Sequence, residues 1–227
     1  MKIIYLPAQS ADDWRQFLAE PDKQWKTGYS ARTLAYCWQE ADGFPACVRK
    51  AFENSDSATF RHIEPLMAIP EYKVPLPGGG AASQNDIFVL AKSADQLVSM
   101  TVEGKVDEPF DKRVSEWYQR PSAGKQARIE FLCSELNLPV EDVMNTPYQL
   151  LHRTVSAKLM ARKFQAGIAL MLVHSFSPED RWFDEFARYA ALFGIKAKKN
   201  NVHSAVQFDG LVLYLGWVQG DKRYLGR

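Results

Sequence analysis

The sequence predicts an α/β fold with a mixed central sheet flanked by helices, and three stretches carry that reading. Residues 85–105, NDIFVLAKSADQLVSMTVEGK, read as a β-hairpin: two runs of strand formers around a polar turn at residues 92–96. Thr146-Pro147 opens a long helix, with Thr as N-cap and Pro in the first turn, that runs to about residue 164. Residues 167–176, GIALMLVHSF, are the longest apolar run, and their place after that helix predicts a buried strand parallel to a neighbour.

The chain of 227 residues is read as one α/β domain, with a helical layer over residues 1–60 and a core over residues 61–227. A formal charge of +1 excludes bulk electrostatics as a route to nucleic acid, so any such contact must come from local patches. Cys37, Cys47 and Cys133 lack metal-ligand spacing, and three sparse cysteines fit reduced thiols in the cytoplasm. The apolar run near residue 1 is too short for a signal peptide, and no stretch has the length of a membrane span.

Residues 2–6 read as an edge strand. Ser10 with Asp12 and Asp13 starts a capped helix, Ser30 caps a second, and Phe44-Pro45 opens a third. Pro65 and Pro70 confine residues 61–74 to an edge or irregular strand. Residues 75–83 are rich in Pro and Gly and read as a flexible connector or flap. No Gly-Lys-Ser/Thr follows them, so they are not a phosphate loop. Helices are expected at residues 113–118 and 122–136, the latter with Lys125 and Arg128 on its outer side. Ser177 caps a helix that ends at Gly194, and Asp209-Gly210 turns a closing hairpin.

The hairpin concentrates the chemistry. A turn centred between Ala94 and Asp95 sets Asp86 opposite Glu103, and Lys105 shares a face with Glu103. Two carboxylates and an amine at the rim of a sheet are costly unless they are solvated or bind something.

These residues resemble the motif of the PD-(D/E)XK nuclease superfamily: an Asp, a gap, then Glu-x-Lys at the end of the next strand. Asp86 supplies the first half and Glu103-Gly104-Lys105 the second, while Asn85 stands where the family name has Pro. The resemblance covers motif and element order from about residue 86 to residue 176. It implies a restriction-endonuclease-like αβ sandwich, within a bacterial family of that superfamily, and a metal-dependent nuclease acting on DNA.

In that reading Asp86 and Glu103, with the Gly104 carbonyl, hold Mg²⁺ or Mn²⁺, a hard cation suited to oxygen ligands. Lys105 assists the attacking water. The helix after the Glu-x-Lys strand sends Gln149 and Arg153 to the site, and Arg153, Lys158 and Arg162 face nucleic acid. Glu40, Glu64 and His152 are accessory candidates. Cutting both strands of a duplex would call for a homodimer. A second class stays open, in which the fold serves as a nucleic-acid or protein binding module. A third is a small-molecule hydrolase using the acid pair.

Overall fold

In a computed structural model the chain is described at Ile4, residues 8–208 and residues 210–227. Helical segments come first: a 3-10 helix at Ala11–Phe17, α1 (Pro21–Gln24), α2 (Ser30–Gln39) and α3 (Ala46–Glu53). A three-strand meander follows, made of β1 (Ile63–Val74), β2 (Ser83–Ser93) and β3 (Gln96–Lys105). The crossover to β4 (Ile168–Ser175) holds α4 (Val114–Trp117), α5 (Ala123–Leu136), α6 (Val140–Val143) and α7 (Tyr148–Lys163). Helix α8 (Phe183–Ala191) and the hairpin β5 (Asn201–Phe208) and β6 (Leu211–Gln219) close the fold.

The six strands form one mixed sheet in the order β1-β2-β3-β4-β6-β5. β4 is parallel to both β3 and β6, and the other pairs are antiparallel. Helices cover both faces, so the fold is an αβ sandwich. The alternation of β3 assigns its faces. Val98, Met100 and Val102 pack with α2 and α3 in one core. Ser99, Thr101, Glu103 and Lys105 point the other way, toward α7. The Ser99 hydroxyl donates to the Ala157 carbonyl (2.9 Å) and the Thr101 hydroxyl to the Arg153 carbonyl (3.0 Å). β4 is buried along its whole length, as its unbroken apolar run predicts.

The β2–β3 ladder runs from Ser93↔Gln96 to Ile87↔Val102. The turn is thus Ala94-Asp95, with Ala94 in the left-handed region (φ 49°), and the strands reach further into the polar stretch than its composition indicates. The prolines are read correctly: β1 is the edge strand. The strand expected at residues 2–6 lies outside the described residues except for Ile4, which bridges to Ala68. Asp209, expected in the last turn, also lies outside them.

Three local expectations are corrected. The segment after Ser10 is a 3-10 helix, closed by a capping box between Ser10 and Asp13. Ser177 does not cap α8; its hydroxyl accepts from the Arg181 N–H, and residues 177–182 form turns before the helix begins. Arg128 is buried, and the Gly-rich loop is tied down by it. Its guanidinium donates to the carbonyls of Pro77 (2.9 Å), Ala81 (2.8 Å), Leu76 (3.2 Å) and Gly79. One planar fork answers four loop carbonyls that would otherwise need water. Gly78 (φ 89°) sits so close to α5 that a Cβ there would lie 2.1 Å from the Gly124 carbonyl oxygen.

No helix among the described residues is long and apolar enough to cross a membrane.

Arg128→Lys keeps the charge and loses the fork. It is expected to cost about 1.5–3 kcal/mol, the range for hydrogen bonds to a charged group. Hydrogen exchange over residues 76–82 should rise with it. An exchange rate equal to wild type would remove Arg128 as the clamp.

Candidate active site

Three adjacent strands end at one rim of the sheet, and each contributes an acid. Glu103 and Lys105 come from the end of β3, and Asp86 from β2. Glu71 comes from β1, where the pairs Pro70↔Ile87 and Tyr72↔Asn85 set it level with Asp86. Glu71 has φ 52°, a conformation that costs a non-glycine residue roughly 1–2 kcal/mol. Two neighbours support that distortion: the Asn85 side-chain amide donates to the Tyr72 carbonyl (3.1 Å), and the Gln84 amide to the Glu71 carboxylate (2.7 Å).

Glu103 is the centre of the arrangement. Its Oε1 accepts from Lys105 Nζ (2.8 Å) and Gln149 Nε2 (2.7 Å), and its Oε2 accepts from Arg153 Nε (2.7 Å). Burial alone would raise its pKa, but Lys105 and Arg153 outweigh that and hold it below the usual carboxylate range. Lys105 Nζ also donates to Gln149 Oε1 (3.0 Å). Two of its three donors are thereby used. Asp86 Oδ2 accepts the Gly104 N–H (2.8 Å), and its Oδ1 lies 3.9 Å from Arg153 Nη2. Burial and then the Glu103 charge push Asp86 up to about 7. Burial and Asp86 likewise push Glu71 up.

Gly104 has a steric reason to be glycine. A Cβ there would meet Leu34 of α2 at 3.1 Å and the Asp86 carboxylate at 3.3 Å. The acids open into a cleft of about 400 Å³, walled on the far side by the segment from Leu18 to Ala31 and by Glu108.

Carboxylate oxygens are the donor type that a hard divalent cation takes. Asp86 and Glu103 offer carboxylate oxygens, and the gap between them already holds a cationic group, since the Arg153 guanidinium spans Glu103 Oε2 and Asp86 Oδ1.

The structure therefore brings Asp86, Glu103, Gly104, Lys105, Gln149 and Arg153 together. The other candidates lie elsewhere. Lys158 and Arg162 sit toward the far end of α7 and pair with Glu135 (3.3 and 2.7 Å), so they do not line the cleft. Glu40 ends α2 and pairs with Arg227 (3.5 Å). Glu64 is exposed on β1, opposite Lys92. His152 stands one step back, its Nδ1 meeting the Ser83 hydroxyl (2.8 Å), which in turn accepts from Arg153 Nη1 (3.2 Å). Burial and the charges of Arg153 and Arg128 lower its pKa, so it stays neutral and positions Arg153. Glu71 was missed by the sequence reading. Its signal is an acid between Pro70 and Tyr72 near the end of a strand.

The model of a domain of unknown function, DUF6946, matches residues 7–222. The chain belongs to the DUF6946 family. No curated protein and no solved structure matches it.

Asp86 and Glu103 should respond to substitution in opposite directions. A carboxyl raised from about 3.9 to about 7 binds more protons folded than unfolded, so its contribution falls as pH rises between those values. Asp86→Asn is expected to be more stable than wild type at pH 8 by roughly 1–3 kcal/mol, with the advantage fading toward pH 4. Glu103→Ala leaves Arg153 and Lys105 buried without their counter-charge and should cost roughly 3–5 kcal/mol. Urea denaturation of the three proteins across pH checks both, and a stabilised Glu103→Ala or a destabilised Asp86→Asn would overturn the charge assignment.

Proposed function

We propose that the cleft is the site of a Mg²⁺- or Mn²⁺-dependent phosphodiester hydrolase acting on DNA, of the PD-(D/E)XK kind, in a cytoplasmic protein. One observation carries this reading: Asp86, Glu103 and Lys105 converge at the rim of an open cleft, with Gln149 and Arg153 reaching in from α7.

Asp86 and Glu103, with the Gly104 carbonyl, are the residues to hold the cation. A bound divalent ion polarises a phosphate oxygen and acidifies a water molecule. Lys105 is fixed by Glu103 and Gln149, with Nζ 5.0 Å from the centre of the Phe110 ring, so it would meet water or phosphate without a search through rotamers. Arg153 fills the gap between the carboxylates in the resting protein. Released from Glu103, it is the residue to clamp a phosphate through two parallel N–H bonds. A duplex substrate cut on both strands would be served by a homodimer.

A second reading is favoured by a different observation. Lys105 is only 5% exposed at its side chain and is closed into an ion pair with Glu103. If that pair stays shut, the chain is a nucleic-acid or protein binding module with an inactive nuclease-like site.

Calorimetry with Mn²⁺ separates the two. One site is expected in wild type, lost in Asp86→Asn, whose fold is retained. Because Asp86 titrates near 7, binding should tighten from pH 6 to pH 8 and release a proton at the lower pH, read as a heat that depends on the buffer. Lys105→Met should keep the metal and lower cleavage of a plasmid or oligonucleotide about 10²-fold or more. Metal bound without cleavage of any substrate would leave the binding module. No metal binding would sink the hydrolase reading.

A further inference from the structure

The other face of the sheet carries a second cluster, built from residues far apart in sequence. Cys37 lies on α2, Cys47 is the second residue of α3, and His174 is on β4. Their ligand-type atoms all lie within 4.8 Å of one another. Cys37 and His174 are buried. Cys47 is half-buried and lines a cavity of about 400 Å³ bounded by the end of α2, the start of α3 and the segment from Gln219 to Tyr224.

The hydrogen bonds fix the protons. The Trp38 indole N–H donates to His174 Nδ1 at 3.1 Å. An indole nitrogen is only a donor, so Nδ1 must present its lone pair. In the neutral ring the proton is then on Nε2, which faces Cys47 Sγ at 3.3 Å and donates to it. The Cys37 sulfur faces the same atom, within 4.8 Å. A ring N–H donor on a half-buried sulfur, with a second thiol beside it, favours its thiolate. The same arrangement opposes a metal. A metal on Nε2 would need Nδ1 to carry a proton toward an acceptor, and Trp38 offers a donor instead.

We propose that Cys47 and Cys37 form a peroxide-reactive dithiol site, with Cys47 as the attacking sulfur and Cys37 as the resolving one. The ligand class is a small hydroperoxide entering by the cavity. The Cys47 thiolate attacks the outer peroxide oxygen: an S–O bond forms, the O–O bond breaks, and the leaving alkoxide or hydroxide takes a proton to depart as alcohol or water. Sulfur is oxidised by two electrons and the peroxide reduced by two, giving a Cys47 sulfenic acid. Cys37, deprotonated, then attacks that sulfur. The S–S bond forms as the S–OH bond breaks, and water leaves with the Cys37 proton. Both cysteines line the cavity, and the first step falls to Cys47 because it is half-buried and takes the His174 hydrogen bond, whereas Cys37 is 1% exposed. The proposal does not rest on the reading of the acidic cleft.

The direction of the thiol acidities agrees. The neighbouring Cys37 thiol, then the His174 contacts, hold Cys47 well below an ordinary thiol, and Cys37 is raised by the same pairing. Cys133 is the internal control: buried on the other face, it is pushed up to about 11 by burial.

The test begins with the wild-type protein, so it needs no variant to fold. Iodoacetamide at pH 6 followed by peptide mass mapping should label Cys47 at least ~10-fold faster than Cys133. On unalkylated protein, equimolar hydrogen peroxide should join Cys37 to Cys47 with the loss of two hydrogens and leave Cys133 free. In Cys37→Ser the same treatment should leave a Cys47 sulfenic acid that dimedone traps. Labelling of Cys47 no faster than Cys133, or peroxide that leaves both thiols free, would overturn the proposal. So would a stoichiometric metal in the purified protein that Cys47→Ser loses.

Discussion

The structure turns on Glu103. A carboxylate at 2% exposure is tolerable only if its oxygens are answered, and here three donors from two elements answer them. Lys105 comes from the same strand, two residues on. Gln149 and Arg153 come from successive turns of α7. That helix is held over the strand by two more bonds of the same kind, from Ser99 and Thr101 of β3 to its backbone carbonyls. The polar face of β3 is therefore a docking surface, and the charged end of that face is its site. A hydrophobic seam would bind α7 at least as well, because buried ion pairs recover little after desolvation. What the charges add is position.

The charges also do not balance locally. Glu71, Asp86 and Glu103 share the rim, while Lys105 and Arg153 are the cations that reach them. Glu103 takes both cations and stays ionised; Asp86 is left with one backbone N–H and a guanidinium at 3.9 Å, and its pKa rises. Two carboxyls pushed apart in acidity by unequal environments are a pattern that clusters at functional sites. The left-handed Glu71 next to them is a further local cost that the hydrophobic core does not require.

The hairpin was legible because period-two patterning and a two-residue turn fix register almost by themselves. One slip would have turned Val98, Met100 and Val102 to the polar face. Gln149 and Arg153 were legible because they share a helix stripe four residues apart. Lys158 and Arg162 continue that helix, yet Glu135 of α5 draws them off, and pairing across elements leaves no trace in a single sequence. Arg128 was misread for a related reason. A cation on a helix reads as solvated, and its partners are loop carbonyls, which every residue has. Glu71 needed the edge strand's distortion, and the Cys37, Cys47 and His174 cluster needed the packing of α2 and α3 over β4. Spacing rules recognise ligands that are neighbours in the chain, and these are not.

Helix α2 and the β3–β4 pair tie the two clusters together. Leu34 packs on Gly104, between Asp86 and the sheet, and Cys37 lies one turn further along the same helix. Gly104 is also the register partner of His174 across β3 and β4. Interiors are close-packed, and Gly104 leaves no slack here, since even a Cβ would press Leu34 at 3.1 Å. Any shift of α2 toward β3 would press Leu34 on the residue whose N–H holds the Asp86 carboxylate. The same constraint that demands glycine at position 104 makes the acidic rim sensitive to where α2 sits.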